Sequence, residues 1–276
     1  MGALARLVHP FPSILDGLVV AGVALLAEGA LTTALRLGLS MTLLQFAIGV
    51  VNDIVDAPAD ARHVPPKPIP AGMIERREAA VVAATAALIG LALAAPSGPA
   101  LVALALAVLG IGLVYDLAAK GTPWSWVPFA IGIPILPIYG WFGATGALPP
   151  FFAVLILMAV LAGAGLAIAN ARADLGLDTE AGTTSVATML GTDRSWWAEA
   201  ALMVAAIAVG IVSLGGSGFD PVPWALVSAG IGIVVAGLVL GRRSERRARL
   251  RAWEAQAVGA AIAAIGWIAG ISAQSF

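Results

Sequence analysis

The chain has 276 residues, 60% of them hydrophobic and 11% charged, with a mean hydropathy of +0.97 and a formal net charge of −1. A soluble domain of this length cannot bury so much apolar surface, so lipid is the solvent for most of it, and a near-neutral charge gives no reason for a nucleic-acid partner. With no cysteine, and only His9 and His63 as histidines, disulfides, thiolate sites and ordinary zinc sites are excluded.

Apolar runs of about 17–22 residues, long enough to cross a hydrocarbon core of about 30 Å, recur from end to end. They predict nine helices, at 13–31, 34–55, 78–95, 100–116, 124–142, 151–171, 196–214, 222–240 and 253–273. The first run carries Asp16 and precedes many equally long ones, so it reads as a retained helix and not a cleaved leader. Turn-forming breaks separate the runs, such as Pro96-Ser97-Gly98-Pro99 and Gly215-Gly216-Ser217-Gly218. With the first residue in the cytoplasm, 14 of the 15 Lys and Arg fall in loops on that side and only Arg36 on the other. The expected architecture is all-α: one integral membrane domain over 1–276 in the cell membrane, N-terminus cytoplasmic and C-terminus outside.

Two acidic sets close cytoplasmic helix ends. Asn52, Asp53, Asp56 and Asp60 end the second helix, and Asn170, Asp174 and Asp178 end the sixth. On a helix, Asp53, Asp56 and Asp60 lie within about 60° of one another with Asn52 at the edge, and the second set spans about 80°. Like charges at these spacings repel, and carboxylates at membrane depth are costly and mark function. Mg²⁺ fits both sets: it takes oxygen ligands, needs one or two carboxylates, and bridges to phosphates. Two such ridges would hold Mg²⁺ around a diphosphate and polarise its leaving group.

The loop that follows, Ala61 to Gly72, is rich in proline, which predicts an extended, stiff path holding Lys67 near the first set as a cation for phosphate. Tyr115 and Lys120, on the same side, offer a phenol and an ammonium to the same diphosphate. The arginine-rich run from Arg242 to Arg251 reads as a lipid head-group anchor. Trp124, Trp126, Trp196, Trp197 and Trp253 read as an interfacial belt.

Asn52-Asp53-x-x-Asp56-x-x-x-Asp60 with Lys67-Pro68-Ile69-Pro70-Ala71-Gly72 resembles the first signature of the UbiA superfamily of intramembrane prenyltransferases. Tyr115 with Lys120 is similar to the family's YxxxK-type element. The run from Asn170 through Asp174 and Asp178 to Gly182 resembles its second aspartate motif, and Arg6-Leu7-Val8-His9-Pro10 its lead-in. The resemblance implies a helical bundle with a lipid-open cavity capped on the cytoplasmic side. It also implies that Asn52, Asp53, Asp56, Asp60, Asn170, Asp174 and Asp178 hold Mg²⁺. Lys67, Tyr115 and Lys120, with Asn52 and Asn170, would bind diphosphate. Lys67 stands where Arg is usual, keeping the charge without the bidentate fork, and Ser185 stands where Thr is usual. Asn170 is similar to the naphthoate-prenylating branch, whereas the Lys67–Gly72 loop is closer to chlorophyll-synthase-like and archaeal-lipid-like members.

The expected activity is Mg²⁺-dependent transfer of an isoprenoid chain from a polyprenyl diphosphate to an aromatic or quinone precursor, through an allylic cation. Prenyl transfer to a glycerol-phosphate lipid and intramembrane terpene cyclisation are the chemical alternatives. A secondary transporter is the non-enzyme alternative, although transporters place coupling carboxylates at the bilayer midplane. A phosphotransferase for CDP-alcohols would need a continuation after Asp16-Gly17 that the sequence lacks.

Overall fold

A computed structural model of the chain describes residue 7 and residues 9–60, 67–216 and 220–273. Among the described residues every regular element is helical, as lipid demands, because a helix satisfies its own backbone donors and acceptors. The order is α1 (Pro10–Leu26), α2 (Leu31–Asp60), α3 (Arg76–Ala94), α4 (Pro99–Val114) and α5 (Val127–Thr145). There follow α6 (Phe152–Ala173), α7 (Leu175–Ala181), α8 (Val186–Gly215), α9 (Pro221–Leu240) and α10 (Arg246–Ser272).

Eight of these helices are long and apolar enough to cross a membrane among the described residues: α2 to α6 and α8 to α10. Helix α1 is apolar but has 17 residues, about 25 Å at 1.5 Å per residue. Local chemistry sets the helix starts. Proline opens α1, α4 and α9, where its missing N–H costs nothing. Asp220 caps α9 by accepting from the Val222 N–H at 3.0 Å. Ser185 and Thr188 form a reciprocal capping box at the start of α8.

Three boundaries differ from the hydropathy reading. Helix α2 continues through Pro58 to Asp60. Helix α8 begins at Val186 and kinks at Gly191, whose φ of 75° suits only glycine. Helix α10 begins at Arg246, inside the arginine run, because arginine is a good helix former whatever its hydropathy.

Packing divides the chain into two units: Met1–Ala118 with Ile135–Ala147, and Ala119–Pro134 with Leu148–Phe276. Small residues let backbones touch in the first unit, where a Cβ on Gly17 would lie 2.7 Å from the Gly38 carbonyl oxygen. Buried Ser40 donates to the Gly90 carbonyl at 2.6 Å and shares a 2.7 Å hydrogen bond with the Tyr139 hydroxyl. Arg36, the lone basic residue expected outside, donates to the Leu93 carbonyl and to Ser97 Oγ.

In the second unit α9 and α10 meet at Gly230 and Gly259, where a Cβ on Gly230 would lie 2.5 Å from the Gly259 carbonyl oxygen. Trp267, buried, donates from Nε1 to Ser213 Oγ at 2.9 Å, tying α10 to α8. Large apolar side chains such as Leu18, Leu88 and Val212 remain exposed on both units, the surface expected of a protein solvated by lipid.

Candidate functional site

Helix α2 brings Asn52, Asp53 and Asp56 to its last turns, and Asp60 closes the helix with its side chain outside the described residues. Asp53 is 2% exposed. Two basic side chains meet on its Oδ1, His9 Nε2 at 3.0 Å and Lys67 Nζ at 2.9 Å. A buried carboxylate is tolerated in an apolar helix when it is paired in this way. Its Oδ2 is buried with no hydrogen-bond partner among the described residues.

Asn52 Nδ2 donates to Asp116 Oδ1 at 2.7 Å, which leaves the Asn52 carbonyl oxygen as its one atom able to bind a cation. Asp116 is 5% exposed and stands in the π turn Tyr115–Ala119 that ends α4. Sequence reasoning passed over Asp116, although a carboxylate closing an apolar helix is the same signal that marks Asp53. His9, part of the lead-in, is likewise a contact of Asp53 that no local sequence pattern marks. Tyr115 is half-buried on the same turn.

The loop carrying Lys67 departs from the extended path expected for it. In its described part, 67–73, the chain coils: the Ala71 N–H donates to the Lys67 carbonyl and the Met73 N–H to the Pro68 carbonyl, both at 3.0 Å. Proline fixes φ near −65°, a value that turns share with extended chain, and Gly72 at φ 70° completes the reversal. The turn and not stiffness delivers Lys67 to Asp53. Ala61 to Pro66 lie outside the described residues.

In the second unit the acidic set is not one continuous ridge. Helix α6 ends at Ala173, Asp174 stands at the junction with φ −102° and ψ 7°, and α7 starts afresh at Leu175. Asn170 lies half-buried in the last turn of α6, and Asp178 lies inside α7. Partial burial raises the Asp178 pKa, and the neighbouring Asp174 charge raises it further. Opposing these are Lys120, which is exposed, and a hydrogen bond from Ser185. Asp174 Oδ1 accepts from Arg246 Nε at 2.7 Å.

A buried polar network backs this junction. Arg172, 2% exposed, lies 3.0 Å from Glu199 Oε2 and donates to the Thr192 and Gly241 carbonyls, both at 2.8 Å. Glu199 Oε1 accepts from Gln256 at 2.8 Å, and Arg249 donates to the Arg172 carbonyl at 3.2 Å. Removing one partner of such a pair leaves an uncompensated buried charge and costs about 3–5 kcal/mol. Arg242 lies 3.9 Å from the centre of the Trp196 ring. Arg242, Arg246 and Arg249 therefore have partners within the protein, which a reading as lipid anchor alone did not anticipate.

Among the described residues no three His, Asp or Glu side chains converge into a ready-made metal cage. Mg²⁺ binds through one or two carboxylates and completes its shell with water and phosphate. The donors on offer are all hard oxygens, and Asp53 Oδ2 is a buried oxygen still to be satisfied. The residues present fit the metal.

A family model described as the UbiA prenyltransferase family matches residues 17–263. The digeranylgeranylglyceryl phosphate synthase of Methanoregula boonei is 33% identical over 116 residues, an alignment covering 42% of each protein. The chain thus spans well under half the length of that relative. The apo structure of a UbiA homolog from Aeropyrum pernix K1 superposes with a TM-score of 0.75 at 22% identity, covering 98% of this chain and 100% of that one. A UbiA homolog from Archaeoglobus fulgidus bound to GPP and Mg²⁺ superposes with a TM-score of 0.72 at 18% identity, covering 100% of both chains. At these identities the solved structures share the fold, and the family match spans most of the sequence: the chain belongs to the UbiA prenyltransferase family.

Proposed function

We propose that the protein transfers an isoprenoid chain from a polyprenyl diphosphate to an acceptor, using Mg²⁺, as one catalytic domain over 1–276. The observation that carries this reading is the buried Asp53 carboxylate with Lys67 and His9 on one oxygen, at the end of a membrane helix. Mg²⁺, when bound, supplies Lewis-acid neutralisation of the departing diphosphate. Asp53, Asp56, Asp60, Asp174 and Asp178, with the carbonyl oxygens of Asn52 and Asn170, are the ligands we assign to it. Lys67, Lys120 and Tyr115 are assigned to the diphosphate oxygens. Asp116 fixes the orientation of Asn52 by accepting from its amide. Apolar side chains along the helices would have to exclude water from the allylic carbon for the acceptor and not water to attack.

For the acceptor, an aromatic or quinone precursor remains one reading. The name of the Methanoregula relative favours the other, a glyceryl phosphate, and the Lys67–Gly72 loop resembles the same branch. The topology we assign is nine spans including α1, N-terminus cytoplasmic and C-terminus outside, with the site on the cytoplasmic side of the cell membrane.

The test is a panel of geranyl, farnesyl and geranylgeranyl diphosphates with Mg²⁺, offered glycerol-phosphate ethers, aromatic acids or no acceptor to the protein in nanodiscs. A prenylated acceptor with diphosphate release is expected, and cyclised product without acceptor would replace transfer by cyclisation. Asp56→Asn and Asp174→Asn should each lose turnover by at least about a hundredfold, beyond the roughly 10–100-fold typical of an outer partner of a metal ligand, with unchanged melting temperature. Full activity of either variant, or in excess chelator, would sink the metal assignment.

A further inference from the structure

Lipid anchoring and positive-inside topology explain why arginines crowd the start of α10 and the turn before it, but not why one of them is aimed at an acidic motif. Arg246 Nε sits 2.7 Å from Asp174 Oδ1, with both side chains about half exposed. The two backbones that carry them are joined by buried bonds close by. Three residues along α10 from Arg246, Arg249 donates to the carbonyl of Arg172, two residues before Asp174. Arg249 Nε also donates to the Arg243 carbonyl at 3.0 Å, fixing the approach to α10. Arg172 is itself held by Glu199, Thr192, Ser195 and Gly241. The Arg246–Asp174 pair is therefore built into the fold from both sides. The cost is visible in the sequence: Arg246, Arg247 and Arg249 sit in the first turn of α10, the end where the helix dipole disfavours cations.

The geometry points to Arg246 as a resident counter-ion of the second acidic motif, which holds Asp174 in the metal-free protein and pairs with the donor's diphosphate once Mg²⁺ takes the carboxylate. Asp174 cannot serve a guanidinium and a divalent cation through the same oxygen at full strength, so metal binding must loosen Arg246. A diphosphate arriving beside it offers the planar guanidinium a better match than the carboxylate it leaves. Arg246 then acts twice with opposite sign: it opposes Mg²⁺ alone and favours Mg²⁺ with diphosphate. The motif is thereby kept from holding metal unproductively before the donor arrives. This inference rests on the proposed function, since it assumes that Asp174 serves Mg²⁺.

The experiment uses the full chain in nanodiscs and measures binding, apart from turnover. Mg²⁺ alone is titrated by melting-temperature shift, and geranyl thiolodiphosphate is titrated by calorimetry at saturating Mg²⁺. For Arg246→Gln the expected result is about threefold tighter Mg²⁺ binding, the scale of an exposed ion pair, with about tenfold weaker thiolodiphosphate binding. Arg246→Lys should recover part of the second effect. Arg247→Gln removes the same charge from the same exposed segment and should move neither titration. Unchanged or weaker Mg²⁺ binding by Arg246→Gln overturns the inference, as does an equal response from Arg247→Gln. A wild-type protein that binds no thiolodiphosphate with Mg²⁺ would instead overturn the proposed function.

Discussion

Asp53 shows how a membrane helix keeps a carboxylate it cannot solvate. Lys67 and His9 share one oxygen, and the other faces no described donor. Asp116 has the quieter task of orienting Asn52. Outer partners of this kind tune metal sites by about 10–100-fold. Asp116→Asn should therefore raise the Mg²⁺ concentration for half-maximal diphosphate release about tenfold, with little change once Mg²⁺ saturates. An unmoved Mg²⁺ curve would remove Asp116 from the site. The approach of Lys67 to Asp53 was legible because spacing alone marks a face and a loop. Asp116 and His9 were not, since their partners lie 64 and 44 residues away and no local pattern joins them.

At the scale of elements, hydropathy located each apolar core but not its charged ends. Helix α10 gains two turns from arginines that lower hydropathy yet favour helix. The start of α8 was hidden because Gly191 and Asp193 break the apolar run while the backbone merely kinks. The break between α6 and α7 was hidden for the opposite reason, because Asn170, Asp174 and Asp178 keep helical spacing across a junction that is not helical. The helix pairs themselves rest on small residues. Gly259→Leu would force its side chain into the Gly230 carbonyl and Val234, so α9 and α10 must separate. Overpacking of this kind costs about 1–3 kcal/mol, and a melting-temperature loss of several degrees is expected in nanodiscs. An unchanged melting temperature would show that the two helices part easily.

For the molecule as a whole, membrane residence was legible from composition and the all-helical class from the length of the apolar runs, whereas the division into two units was not. Hydropathy scores each run by itself and carries no record of which runs pack together. Orientation is open to direct test because the chain has no cysteine, so single cysteines report without background. In intact cells, Ala147→Cys and Ala273→Cys should react with a membrane-impermeant maleimide. Met73→Cys and a cysteine ahead of Pro10 should react only after lysis. Labelling of the N-terminal position in intact cells would remove α1 from the count of spans, and the reverse pattern at Met73 and Ala147 would invert the protein.

The junction at Asp174 is also a mechanical joint. A continuous helix transmits a push along its axis and resists bending through every hydrogen bond in its ladder. Here one φ/ψ pair separates a 22-residue beam from a seven-residue arm. Asp178 rides about 6 Å along that arm at 1.5 Å per residue, so a 30° swing at Asp174 carries it about 3 Å. That displacement is comparable to the difference between a direct metal ligand and one that reaches the ion through water. Such a swing would need no helix to melt and no membrane span to move.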